Sequence, residues 1–267
     1  MTRDAIPHGI RTHIAAELAA TASEEGVRVL YAAESGSRAW GFASPDSDFD
    51  VRFLYVHPRD WYVTLAEERD VIERPLDDLS VDLAGWDIRK ALRLLLKSNP
   101  ALYEWLVSPI VYVDSPLRAE LKALFEAAAS PRAVAHHYWS IARGQWRSNI
   151  DGRDEVRLKK YFYLVRPLFS LAWVVQHKEP PPMSIGDLLD GSDLPPAPRR
   201  AVEALLREKR ATPELGARPP IREIDAWAGK ELERLDPARL TWIDDPPARE
   251  VRVEADRLYR RIIGVGA

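Results

Sequence analysis

The chain has no cysteine among its 267 residues. That excludes disulfides, thiolate metal centres and cysteine nucleophiles. It has no apolar run long enough to span a bilayer, and its opening residues M-T-R-D-A-I-P-H lack the apolar core of a secretion signal. The expectation is a protein with no membrane partner and a cytoplasmic location. An excess of positive charge is missing too: 38 Lys and Arg stand against 41 Asp and Glu, for a net charge of −3. Any contact with nucleic acid therefore has to come from a local basic patch. There is no internal repeat and no low-complexity tract. What remains is an ordinary soluble composition, 46% hydrophobic and 30% charged, in a chain long enough for one domain with a helical extension or two small domains.

The most informative stretch runs from Glu34 to Tyr55, E-S-G-S-R-A-W-G-F-A-S-P-D-S-D-F-D-V-R-F-L-Y. Gly36 permits backbone conformations closed to other residues and lets a ligand approach the main chain; Ser37 adds a hydroxyl at the same turn. Alternation along a strand puts Asp48 and Asp50 on one face and the apolar Phe49, Val51, Phe53 and Tyr55 on the other. Two carboxylates so close repel each other and are tolerable when they share divalent cations, which favour hard oxygen ligands. The plainer alternative makes Asp46 and Asp48 turn residues and Asp50 the start of a solvated face. The Gly-Ser turn, the fixed gap, the D-x-D and the clean apolar face together favour a metal-dependent phosphoryl site. Residues 38–44 read as a short helix whose first amides face phosphates. Arg38 is then either near the nucleotide or a surface arginine paired with an acid.

A first helix is expected over residues 8–22, then a strand through Val27, Val29 and Tyr31 that is buried on both sides. Residues 69–73 and 79–84 read as two further strands. Asp82 lies between Val81 and Leu83 in the second, a place where an acid needs a partner. Asp87 suits an N-cap for the helix 88–96, and Asn99-Pro100, Ser115-Pro116 and Ser130-Pro131 look like cap-then-proline helix starts. Residues 110–113 form a possible edge strand. Beyond Asp114 the chain reads as mostly helical, so the domain boundary is placed there, giving residues 1–114 and 115–267. His136 and His137 have no partner at metal spacing and read as structural, and Trp139 and Trp146 read as core. A helix over 154–177 carries an apolar stripe through Leu158, Phe162, Val165 and Phe169, with a kink expected at Pro167. Lys159, Tyr163 and Arg166 share a different face, flanked by Lys160. On the residues alone, a solvated basic face and a phosphate-binding face both stand. Further helices are expected over 199–210, 221–235 and 248–263.

The stretches G-S-R-A-W-G-F (36–42), D-S-D-F-D-V (46–51), D-L-A-G-W-D-I-R-K-A-L (82–92), S-N-P-A-L-Y-E-W-L (98–106) and K-K-Y-F-Y-L-V-R-P-L (159–168) resemble the DNA polymerase beta-type nucleotidyltransferase superfamily. They are similar above all to its RNA-ligase-associated polymerase-like branch, found near RNA-repair genes. The resemblance runs from about Tyr31 to Leu189. It implies an α+β fold, a small mixed β-sheet with flanking helices followed by a helical domain. It implies transfer of NMP from an NTP to a hydroxyl, with an RNA 3′ end as acceptor. Asp48 and Asp50 would bridge magnesium ions (or manganese), and Asp82 would be the third carboxylate, acting as general base while holding one metal. Gly36 and Ser37 would hold the β and γ phosphates, with Arg38 near the nucleotide. Lys159, Lys160, Tyr163 and Arg166 would face the triphosphate or the RNA backbone. A protein side chain as acceptor (AMPylation) and a non-catalytic nucleotide or RNA sensor are the alternatives. The intact acid triad argues against the sensor. Oligomeric state is not legible.

Overall fold

A computed structural model describes residues 6–65, 68–212, 216–242 and 249–265; residues 1–5, the start of the opening segment considered above, lie outside them. The chain forms two units. The first is Met1–Ala39, Asp48–Ala129 and Asp245–Ala267, and the second is Trp40–Ser47 and Ser130–Asp244.

The first unit begins with α1 (His8–Glu24), which buries Ile14, Leu18 and Thr21. Strand β1 (Arg28–Glu34) follows, and its last five residues are all buried. The expected helix over 38–44 is instead a single turn, α2 (Gly36–Ala39). Then come β2 (Phe49–Val56), a 3-10 turn over Arg59–Val63, β3 (Val71–Arg74) and β4 (Val81–Asp87). After them follow α3 (Ile88–Leu95), α4 (Pro100–Leu106), β5 (Val111–Val113) and α5 (Leu117–Ala128). The sheet has the order β3-β4-β2-β1-β5. It is mixed: β2 and β4 run parallel while the other neighbours are antiparallel. This is the mixed sheet with flanking helices that the sequence led us to expect.

Two apolar layers sandwich the sheet. On one face Phe49, Val51, Phe53 and Tyr55 meet Ile14 and Leu18 of α1 together with Val81 and Leu83, which is the apolar face read from the alternation. On the other, Tyr31, Leu54 and Val56 pack on Ile88, Leu92, Leu102, Leu121 and Phe125 from α3, α4 and α5. Gly85 makes the first layer possible, since a Cβ there would lie 2.3 Å from the Phe53 ring. Asp87 and Asn99 cap their helices as expected, accepting from the amides of Arg89 and Ala101. Ser115 does not cap: its hydroxyl donates to the carbonyl of Leu30, and α5 starts without a side-chain cap.

The second unit contains α6 (Pro131–Gln145), capped by Ser130, with a π turn over Trp146–Ile150. It continues through β6 (Val156–Arg157), α7 (Lys159–His177), α8 (Ile185–Asp190), α9 (Pro196–Ala211), β7 (Ala217–Arg218) and α10 (Arg222–Arg234). The helix expected from 154 starts at Lys159, because Val156 and Arg157 pair with Arg218 and Ala217. It passes through Pro167. Its core combines Phe162, Val165, Phe169 and Val174 with Val134, Tyr138, Leu205 and Leu232, and Trp139 and Trp146 pack against it. Residues 40–47 belong to this unit through specific bonds. Phe42 stacks on Phe162 at 4.8 Å, the amide of Ile185 donates to the carbonyl of Trp40, and Lys209 Nζ donates to Ser44 Oγ.

The division between units therefore differs from the one expected at Asp114. Helix α5 buries its apolar side against the sheet, so the break comes after Ala129. The last helix, α11 (Arg249–Ile262), returns to the first unit and adds Ala255 and Leu258 to the layer under α3 and α5; Ala248, expected to start it, lies outside the described residues. Among the described residues no helix is long and apolar enough to cross a membrane.

Candidate active site

Parallel pairing of β2 with β4 sets Asp50 directly opposite Asp82. Both side chains leave the sheet where the apolar layers end. Two residues along β2, Arg52 points the same way as Asp50; its Nη2 donates to Asp50 Oδ1 at 2.9 Å and forms an ion pair with Asp82 Oδ2 at 2.8 Å. Its Nη1 donates to the carbonyls of Val51 and Asp82 at 3.1 and 3.2 Å. One guanidinium thus ties the two facing carboxylates together.

Asp50 is enclosed from the β1 side as well. Gly36 has φ +57°, and a Cβ built on it would fall 2.0 Å from Asp50 Oδ2. The close approach read from Gly36 is made, in the chain itself, by this carboxylate. Burial pushes the Asp50 carboxyl above its ordinary value; Arg52 pulls it down, and Asp82 and Asp48 raise it further as like charges. Asp48 itself is exposed. Its carbonyl accepts from Arg38 Nε at 3.1 Å, and the Arg38 guanidinium lies 4.0 Å from the centroid of the Phe49 ring. Arg38 is thus folded back along the acid-bearing strand. Ser37 is half-buried within α2.

One residue of this neighbourhood escaped the sequence reading. Glu34, at the end of β1, is fully buried. Its Oε1 accepts from the amide of Asp50 at 3.0 Å, and its Oε2 accepts from the hydroxyl of Tyr112 on β5. Ser108 Oγ donates to its backbone carbonyl at 2.6 Å. Burial pushes its carboxyl up to about 7, opposed by the hydrogen bonds from Tyr112 and Asp50. The signal was there: Y-A-A-E ends the apolar run that begins at Val29 in an acid, the same anomaly that singled out Asp82.

The donor set consists of hard carboxylate oxygens carrying more negative charge than they tolerate alone, which is the chemistry magnesium suits. Among the described residues, however, no three acidic or histidine side chains converge into a cluster that could hold a metal ion; Asp50 and Asp82 converge on Arg52.

The basic residues singled out on α7 lie in the second unit, and they do not form one face. Lys159 and Tyr163 are exposed and Lys160 is half-buried, with its Nζ 5.8 Å from the centroid of the Tyr163 ring. Arg166 is only 4% exposed, lies over the Trp40 ring at 4.3 Å and donates to the carbonyl of Met183. Steps of four and three residues do align the three positions, but residues 40 and 183 cover the last of them.

The family model described as the RNA repair pathway DNA polymerase beta family matches residues 10–261. A protein of Bacillus subtilis (strain 168), the uncharacterized protein YcgL, is 43% identical over 227 residues, covering 85% of this chain and 86% of that one. The match takes in the final third, where no motif had been legible, along with the sheet and its carboxylates: the chain belongs to the RNA repair pathway DNA polymerase beta family.

Proposed function

We propose that this protein is a nucleotidyltransferase that moves NMP from an NTP to a hydroxyl, with an RNA 3′ end as the acceptor. The observation that carries the reading is the meeting of Asp50 and Asp82 across parallel strands, beside the Gly36 turn. Nucleotidyl transfer needs positioning and charge neutralisation more than covalent help from the protein.

Asp48, Asp50 and Asp82 are the side chains that would hold magnesium. Bound there, it would supply charge neutralisation to the phosphates and make the attacking hydroxyl more acidic. The chain supplies the rest. Asp82 takes the proton from the attacking hydroxyl. Glu34 and Tyr112 hold the start of β2 in place through the Asp50 amide. Ser37 and the amides around Gly36 bind phosphate oxygens, and Arg38 adds positive charge at the same turn. Lys159 and Lys160, with Tyr163, are offered to phosphates by the helical unit, whereas Arg166 serves as its internal support.

The test is incubation with each labelled NTP and magnesium, with and without an RNA bearing a free 3′ hydroxyl. Label on the RNA that disappears in Asp48→Asn supports the proposal. Label on protein would replace the acceptor, and NTP binding without any transfer would overturn the enzymatic reading.

A further inference from the structure

Asp48 lies just outside the strand ladder, which begins at Phe49. Its place is set on one side by the Arg38 bond to its carbonyl and on the other by the turn that precedes it, Ser44-Pro45-Asp46-Ser47. Serine at the first position and proline at the second suit a β-turn, and this one is closed on itself. The Ser47 amide donates to the Ser44 carbonyl at 3.1 Å. The Ser44 amide donates back to Ser47 Oγ at 2.9 Å, and the two hydroxyls are also 2.9 Å apart. Ser44 is only 3% exposed.

The turn is gripped by residues from the final third of the chain. Helix α9 carries Lys209 and Arg210 in its last turn. Lys209 Nζ donates to Ser44 Oγ at 2.7 Å across 165 positions of sequence, and Arg210 Nη2 donates to the Gly41 carbonyl at 2.7 Å. An ammonium can only donate, so Ser44 Oγ is the acceptor, and a charged donor makes the bond one of the stronger kind. Lys209 is half-buried, which limits screening of the bond by water. The Phe42 stack on Phe162 and the Ile185 bond to the Trp40 carbonyl fix the chain ahead of the turn. The hold on Ser44 passes to Ser47 through their shared bonds, and Ser47 is joined covalently to Asp48.

We infer that Lys209 is a positioning residue for Asp48, acting through Ser44 and Ser47. Its consequence for catalysis rests on the nucleotidyl-transfer reading, in which Asp48 is one of the carboxylates assigned to magnesium. The grip itself needs neither metal nor substrate. Positioning acts on the reacting geometry, so its loss falls on kcat more than on KM for the NTP.

The experiment compares the full-length wild type with Lys209→Met, Lys209→Arg and Ser44→Ala. Arg218→Ala is the control, since it removes the ion pair to Glu208, the neighbour of Lys209, and leaves the Ser44 bond in place. Should Lys209→Met fail to fold, Ser44→Ala decides alone. Hydrogen exchange in EDTA, read by mass spectrometry on peptides covering residues 43–50, needs no transfer activity. Exchange there should speed up roughly three- to tenfold in Lys209→Met and Ser44→Ala, the effect of one lost hydrogen bond, and stay near wild type in Lys209→Arg and Arg218→Ala. In the same two variants kcat should fall roughly 10- to 100-fold with KM for the NTP little changed, and Lys209→Arg should recover it. Unchanged exchange in the two variants, an equal rise in the Arg218→Ala control, or a wild-type kcat in Lys209→Met would overturn the inference. Faster exchange in variants of a wild type that transfers nothing supports the grip and overturns the transfer reading instead.

Discussion

Asp50 and Asp82 face each other across parallel strands and are joined by a single guanidinium, that of Arg52. Arg52→Ala removes the bridge and leaves the two carboxylates to repel. The expected loss is about 1–2 kcal/mol, the value of charged hydrogen bonds discounted for partial exposure. A thermal melt in EDTA reads it as a lowered Tm, and added magnesium should raise the Tm of the variant more than that of the wild type. An unchanged melt would show that the bridge contributes nothing.

Asp48→Asn and Asp50→Asn should each lower nucleotidyl transfer by about 100-fold or more while the protein stays folded, since removing one charge-stabilising group costs roughly that much. Pyrophosphate release and circular dichroism measure the two halves of this expectation. Normal rates in either variant would remove that carboxylate from the assignment.

Gly36→Ala and Gly26→Ala make an informative pair. Both glycines have positive φ, +57° and +62°, so both substitutions carry a backbone cost of about 1–2 kcal/mol. Only at Gly36 does the new Cβ strike something, the Asp50 carboxylate; Gly26 has nothing within 4 Å. Chemical denaturation should show the larger loss in Gly36→Ala, and the transfer rate should fall in that variant alone.

Glu34 gives stability a pH dependence. Its carboxyl is pushed from 4.5 up to about 7 in the folded protein, so the native state binds more protons than the unfolded chain between those values. The contribution is complete below about 4.5, declines across the window and is gone above about 7. Glu34→Gln keeps an acceptor for the Asp50 amide and cannot ionise. In EDTA its denaturation midpoint should vary less than that of wild type between pH 5 and pH 8. Equal slopes for the two proteins would contradict the assignment.

The sequence displayed what depends on neighbouring residues. The alternation of Phe49, Val51, Phe53 and Tyr55 fixes which way Asp48 and Asp50 point, and the caps at Asp87, Asn99 and Ser130 are set by the residues beside them. It hid what depends on pairing over distance. Arg52 looked like one more strand charge until β4 was placed beside β2. Glu34 acquired its meaning from Tyr112, 78 positions away. Lys159 and Arg166 share a helix flank, yet only the packing of residues 40 and 183 reveals that one is exposed and the other enclosed. The boundary at Asp114 failed for the same reason, because helical character does not say against which core a helix rests.

The return of α11 to the first unit has a consequence for how the molecule is made. The chain passes between units after Ala39, Ser47, Ala129 and Asp244. During synthesis the sheet emerges early, but Ala255 and Leu258 of its outer layer arrive only after the whole helical unit has been translated. At about 5–20 residues per second that interval lasts several seconds or more. A ribosome-bound sheet therefore waits with apolar surface uncovered. A fragment ending at residue 114 or 129 would hold that condition permanently, and it should aggregate where the full-length chain does not.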